Sequence, residues 1–173
     1  VAMGLGATFV ARGLDAQMKL SEEICTRGAL HKGFSMMEIF ANCIIYNDGA
    51  HSKLTDKETG ADFYIILKDG EKMIFGTESQ YCLVQDGFKI KAAKVADVAE
   101  SDILVHDEKN AEVAALLTTM RPDAGLPLAL GIIFADDSKK TYDDMVYEQV
   151  AGVKAKRGRT VDQVMQEGHT WTV

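Results

Sequence analysis

The chain lacks the short signatures that announce common enzyme chemistries. It has no G-x-S-x-G elbow, no G-x-x-x-x-G-K-S/T phosphate loop, no H-E-x-x-H and no C-x-x-C, so no local motif points to a serine hydrolase, a P-loop nucleotidase, a zincin or a dithiol redox centre. The run Gly4-Leu5-Gly6 lacks the third glycine of a dinucleotide fingerprint and precedes a strand instead of following one. No apolar run approaches the roughly 18 residues that a spanning helix needs. The start, VAMGLGATFVARG, has neither the basic region, the long apolar core nor the cleavage site of a signal peptide. A membrane partner is therefore not expected, and the compartment expected is the cytoplasm. The three cysteines, Cys25, Cys43 and Cys82, are odd in number and irregularly spaced, which is no secreted disulfide framework and leaves thiols or metal ligands open. A net charge of -7 argues against a general nucleic-acid binder, and the basic patch Lys154, Lys156, Arg157 and Arg159 reads as a solvated face. Internal repeats and low-complexity tracts are also missing.

What remains is ordinary soluble composition, 47% hydrophobic and 26% charged over 173 residues, enough for one domain with a real core. Residues 7–47 read as strand, helix, strand. Phe9-Val10 closes a short apolar run ahead of an Arg12-Gly13 turn. Ser21 can cap a helix over 22–32, with Glu22 and Glu23 at its positive end, His31 and Lys32 at its negative end, and Gly33 as a left-handed stop. Residues 34–45 then run almost without polar interruption, as a strand covered on both faces would, ending on Cys43; such a unit implies a crossover to a parallel neighbour. Loops beyond the carboxyl ends of parallel strands carry the chemistry in open sheets, and Asn42, Cys43, Asn47 and Asp48 fall there.

Residues 48–61 are polar and read as a loop. The runs 63–67 and 72–75 flank KDGE, and 81–84 and 88–92 flank QDG, so two Asp-Gly hairpins predict a small antiparallel insert over 61–95. It reads as a cover for a sheet edge, with a lid or docking flap as the functional alternative. Residues 101–106 read as a short buried strand. Asp107 or Asn110 can start a helix with Val113, Leu116, Leu117 and Met120 on its apolar face, and 126–134 is a central strand. A helix follows over 141–150 with Met145 and Val146 inward. Thr160 and Gln163 form a capping box for a last short helix, and Trp171 needs an apolar surface from this domain or a partner.

The residue types allow several sites, each with a plainer explanation. Asp136 and Asp137 can hold Mg²⁺ but read as a capping loop. His31 and His106 can titrate but sit at element ends, where histidine is commonly a structural hydrogen-bonder. Cys25 and Cys82 read as packing residues, and Cys43 stands out only by its place at a strand's functional end. The residues alone give a parallel α/β half-domain with one suspicious thiol.

The segments GATFVARG, ALHKGFSMMEIFANCIIYND and DILVHD, followed by LALGIIF and KKTYDD, resemble in order the carboxy-terminal half of the β subunit of 2-oxoacid:ferredoxin oxidoreductases. The insert and the ending HTWTV are similar to the branch that uses 2-oxoglutarate. The resemblance implies the C-terminal part of a thiamine diphosphate-binding, parallel-sheet α/β domain over 1–60 and 96–150, the β insert over 61–95 and a helical tail over 151–173 that docks on an α subunit. It implies oxidative decarboxylation of a 2-oxoacid on thiamine diphosphate and Mg²⁺, electrons passed through a 4Fe-4S cluster to ferredoxin, and release of the acyl group on coenzyme A. Of the family's four cluster cysteines only one maps here, Cys43; the other three and the G-D-G motif that holds the diphosphate and Mg²⁺ belong to the amino-terminal half. Catalytic residues and cofactor contacts are not assigned within this stretch. The start at Val1, and VAMGLGA as the end of an upstream helix, mark the chain as a piece of something larger, which by itself is expected to be inactive and colourless. The rival expectations are a non-catalytic scaffold subunit that keeps the fold and a flavodoxin-like small-molecule binder.

Overall fold

In a computed structural model describing residues 1–169 and 171, a 3-10 turn (Met3–Leu5) leads into β1 (Phe9–Leu14), α1 (Met18–Leu30), β2 (Ser35–Phe40) and a single-turn helix α2 (Ser52–Thr55). β3 (Tyr64–Leu67), β4 (Ile74–Phe75), β5 (Tyr81–Asp86) and β6 (Lys89–Lys94) follow, then α3 (Ala111–Thr118) and β7 (Leu128–Ala135). Two further helices, α4 (Tyr142–Arg157) and α5 (Val161–Gln166), belong to a second compact unit, Lys140–Val173, the first being Val1–Lys139.

The first unit is α/β with a mixed sheet in the order β2-β1-β7-β3 and a smaller antiparallel sheet β4-β5-β6. β1 and β2 are parallel with α1 between them, as the first 47 residues predict. β7 is the interior strand expected of 126–134, buried at every position. Its direction is not the expected one: it runs antiparallel to β1 and parallel to β3. The sheet is therefore mixed, with the carboxyl ends of β1 and β2 on one rim and those of β3 and β7 on the other. A bulge shifts the register between Val10 and Ala11. Beside it Gly131 has φ +101°, and a Cβ there would lie 2.8 Å from the Leu67 carbonyl oxygen, so glycine lets β3 and β7 close up.

Both faces are covered. Phe9, Ala11 and Ile132 meet Ile24, Leu20 and Met37 on the α1 side. On the other face Val10, Ala129 and Ile133 meet Leu117 of α3 and Met120 just after it, together with Leu83 and Ile90 of the small sheet. Burying each of the larger side chains among these, the Val, Leu, Ile, Phe and Met, stabilises the fold by about 1.5–3 kcal/mol. The insert thus caps a sheet face as well as bordering β3.

Several local expectations need correction. Arg12-Gly13 is no turn; β1 continues to Leu14, because its backbone is claimed on both sides by Glu38-Ile39 and Gly131. Ser21 does not cap: α1 starts at Met18 after Gln17, whose N–H donates to Leu14 O at 2.8 Å and whose side chain donates to the Tyr64 hydroxyl at 2.9 Å. The helix ends at Leu30, where His31 turns extended to reach Thr8 and Asp137. Gly33 is required by closeness instead of by a helix stop: a Cβ would sit 2.1 Å from Thr8 Oγ1. β2 is not covered on both faces. It is an edge strand ending at Phe40, with Met36 and Ile39 about four-tenths exposed. Residues 48–61 are not all loop, since α2 buries Leu54.

Of the two Asp-Gly hairpins only the second forms, β5 and β6 around Gly87 at φ +60°. Residues 64–67 leave the insert and pair with β7, while β4 pairs with β5. Residues 101–106 form no strand: Ser101 and Asp102 belong to a 3-10 turn (Glu100–Asp102), and isolated bridges Lys72 to Val105 and Val84 to Ile103 hold the residues after it. α3 follows the expected pattern, with Asn110 Oδ1 accepting from Val113 N at 3.0 Å and Ala114, Leu117 and Met120 buried.

In the second unit Thr141 caps α4 by accepting from Asp144 N, and Thr160 with Gln163 forms the predicted capping box of α5. No residue of α4 is buried: Met145, expected inward, is 52% exposed, while Val146 is partly covered. Trp171 is also exposed; the rest of the closing segment after His169 lies outside the described residues. No helix among those residues is long and apolar enough to cross a membrane.

Candidate functional site

Where β1 and β2 end, the backbone hydrogen bonds continue one step further, Asp15 N to Phe40 O at 2.9 Å. A polar knot then replaces the ladder. Asn42 is its hub: its N–H donates to Asp15 Oδ2 at 3.0 Å, its side-chain amide to Asp48 Oδ1 at 2.9 Å, and its Oδ1 accepts from Gly49 N at 2.9 Å. Between these anchors Cys43 and Asn47 close a tight turn, Asn47 N to Cys43 O at 3.0 Å. The turn holds Ile44, Ile45 and Tyr46 in solvent, at 77%, 87% and 90% exposure. Cys43 lies beyond the strand, not on its last residue, and its thiol is exposed.

Beside this turn lies a cavity of about 670 Å³ whose floor is Phe40, Leu54, Phe63 and Leu128, with Lys53 and Arg121 among its polar residues. His51 packs edge-on against Phe40, ring centroids 5.0 Å apart. Arg121 is loosely paired with Asp123 at 3.6 Å, and Lys53 has no salt-bridge partner among the described residues. An apolar floor with cations beside it suits an anion with an apolar body.

The structure joins Asn42, Cys43, Asn47 and Asp48 in one turn and scatters the other candidates. Cys25 is exposed on α1 and is no packing residue. Cys82 is buried, and burial pushes its thiol pKa up. His31 is a structural hydrogen-bonder: Nε2 shares a bond with Thr8 Oγ1 at 2.8 Å, and Nδ1 lies 2.9 Å from Asp137 Oδ1. His106 is buried against Ile132 O at 2.8 Å. Asp136 and Asp137 diverge, one accepting from Ser138 and the other meeting His31. No group of three or more His, Cys, Asp or Glu side chains able to hold a metal ion occurs among the described residues. Cys43 therefore belongs to no ligand set among the described residues that could hold a metal ion by itself.

Sequence reasoning missed Lys53 and Arg121, which no local spacing relates, and the part Asn42 plays as hub. An asparagine just past a strand that ends in a tight turn is the one signal available for the latter.

No family model matches the chain, and no solved structure matches it significantly. Over its whole length the chain is 36% identical, across 177 aligned residues, to the 2-oxoglutarate oxidoreductase subunit KorB of Mycobacterium tuberculosis, of which it spans 47%, about half the length. The resemblance to the β subunits is borne out by this match.

Proposed function

We propose that the chain forms the cluster-facing portion of the β subunit of a 2-oxoacid:ferredoxin oxidoreductase acting on 2-oxoglutarate, with an α subunit, coenzyme A and ferredoxin as partners. The whole-length likeness to KorB carries this reading, and the exposed thiol on a fixed turn supports it. Thiamine diphosphate with Mg²⁺ supplies the electron sink for decarboxylation, and a 4Fe-4S cluster supplies the single-electron relay. This chain's residues do three things. Cys43 offers one thiolate, Asn42 and Asp48 fix the backbone that aims it, and Ile44 to Tyr46 keep water from whatever the thiolate binds. The unburied helices α4 and α5 serve as the docking tail for the α subunit.

The test is anaerobic purification of the full-length subunit complex with and without Cys43→Ala, measuring iron per subunit and the broad visible absorption of the cluster. Loss or conversion of the cluster in the variant is expected. An unchanged iron content and spectrum overturns the ligand assignment, and a full-length protein that carries flavin in place of iron overturns the reading as a whole.

A further inference from the structure

The cavity at the rim where β1 and β2 end carries charges that the fold itself does not use. Phe40 closes β2, Phe63 precedes β3 and Leu128 opens β7, so three strands bring an apolar residue to one place. The Leu128 N–H donates to Phe63 O at 2.8 Å, and α2 lays Leu54 beside them. Gly60 lets that helix pack closely, since a Cβ there would lie 2.8 Å from Leu54 O. Leu54 and Leu128 are buried, whereas Phe40 and Phe63 are half-buried, and both rings line the space above this floor. Its volume, about 670 Å³, is that of a small-molecule site.

The charged side chains of the lining are Lys53, from α2, and Arg121 and Asp123, from the 3-10 turn Pro122–Ala124 and the residue before it. They leave one positive charge in excess, in a chain whose net charge is -7. Lys53 is exposed and has no salt-bridge partner among the described residues. Arg121 meets Asp123 only at 3.6 Å, beyond hydrogen-bond length, with the two side chains 69% and 75% exposed. Water screens such a pair, so it holds its guanidinium weakly. Both cations are therefore accessible and free to turn to a ligand.

One negative charge balances this lining, and a carboxylate offers the planar pair of oxygens that a guanidinium fork meets. A phosphate monoester, with nearly two charges, sets the second against Asp123. Phe63 and Phe40, the latter met edge-on by His51 at 5.0 Å between ring centroids, favour an aromatic body. We propose that this cavity is a binding site for an aromatic monocarboxylate, with its ring on Phe40 and Phe63 and its carboxylate on Lys53 and Arg121. The proposal is independent of the cluster reading, because neither Cys43 nor Asn42 lines the cavity.

The experiment uses the full-length protein with its co-purifying subunits and titrates 2-naphthoate, 2-naphthalenemethanol and 2-naphthyl phosphate by calorimetry and by ligand-detected saturation-transfer NMR. 2-Naphthoate is expected to saturate with a dissociation constant of about 1 mM or below. The alcohol is expected to bind at least about tenfold more weakly for want of the charge-assisted pair, and the phosphate more weakly than the carboxylate. 2-Oxoglutarate is expected to leave bound 2-naphthoate in place, which separates this site from the reaction proposed above. Lys53→Met and Arg121→Met are each expected to weaken 2-naphthoate about three- to tenfold and to leave the alcohol unchanged. Asp123→Asn, which removes the competing acid, is expected to tighten 2-naphthoate about two- to fivefold. No saturable binding of 2-naphthoate overturns the proposal. So do equal binding of the alcohol, tighter binding of the phosphate, displacement by 2-oxoglutarate, or an affinity that none of the three substitutions moves.

Discussion

β7 and β2 have similar sequences on paper, LALGIIFA and SMMEIF, and opposite lives in the fold. β7 lies between two partners and under two covering layers, buried at all positions. β2 has one partner, alternates in burial and leaves Met36 and Ile39 in water. β7 is covered on both faces within this chain and β2 on one, the face that carries Met37 against the α1 side. Met37 and Phe40 of β2 pack inward, while Met36, Ile39 and, in the turn after β2, Ile44, Ile45 and Tyr46 stay exposed, in a chain that spans about half of its relative.

The largest effect that tests this contrast is truncation. Leu130→Ala in β7 is expected to cost about 2–5 kcal/mol of unfolding free energy, and Ile39→Ala in β2 less than about 1 kcal/mol, both read by urea denaturation. Equal costs would break the comparison. Next in size is amide hydrogen exchange: β7 amides should exchange only by global unfolding, and the β2 amides that point away from β1 should exchange freely. Slow exchange at both would show that the β2 edge is covered.

Thiol chemistry sharpens the contrast more gently. Cys43, past the end of β2, and Cys25 should react promptly with an aromatic disulfide reagent, whereas Cys82, buried and with its pKa raised by desolvation, should react only on unfolding. The smallest effect concerns the covered edge. Asp62, just before β3, accepts from Thr77 N at 2.8 Å, which holds its carboxyl pKa below the usual carboxylate value. A depressed native pKa gives stability that is present above the unfolded pKa and is lost as pH falls through the native one. Asp62→Asn should therefore lower stability slightly at neutral pH, leave it nearly unchanged below the native pKa, and so flatten the acid side of a stability profile measured by urea denaturation at several pH values.

Much of the fold was readable because its signals are local. The Asp86-Gly87 hairpin, the Asn110 cap, the apolar face of α3 and the Thr160-Gln163 capping box each lie within a few residues, and each formed as expected. Failures came where a distant partner decides. Residues 64–67 were drawn into the main sheet by β7, and the direction of β7 against β1 leaves no mark in either sequence. Arg12 reads as a turn residue until Glu38 and Gly131 are seen beside it. The site was half legible: position drew attention to Cys43, while the cavity next to it is assembled from residues as far apart as Lys53 and Arg121.

The placement of β7 also sets an order of events. β1 is made early and its interior partner comes near the end of the first unit, so the main sheet cannot close until almost all of that unit has left the ribosome. The β5-β6 hairpin, by contrast, can form as soon as its own few residues emerge. Until β7 arrives, the nascent β1-β2 pair carries two open flanks, and a chaperone holding that stage has more to protect than the finished molecule shows.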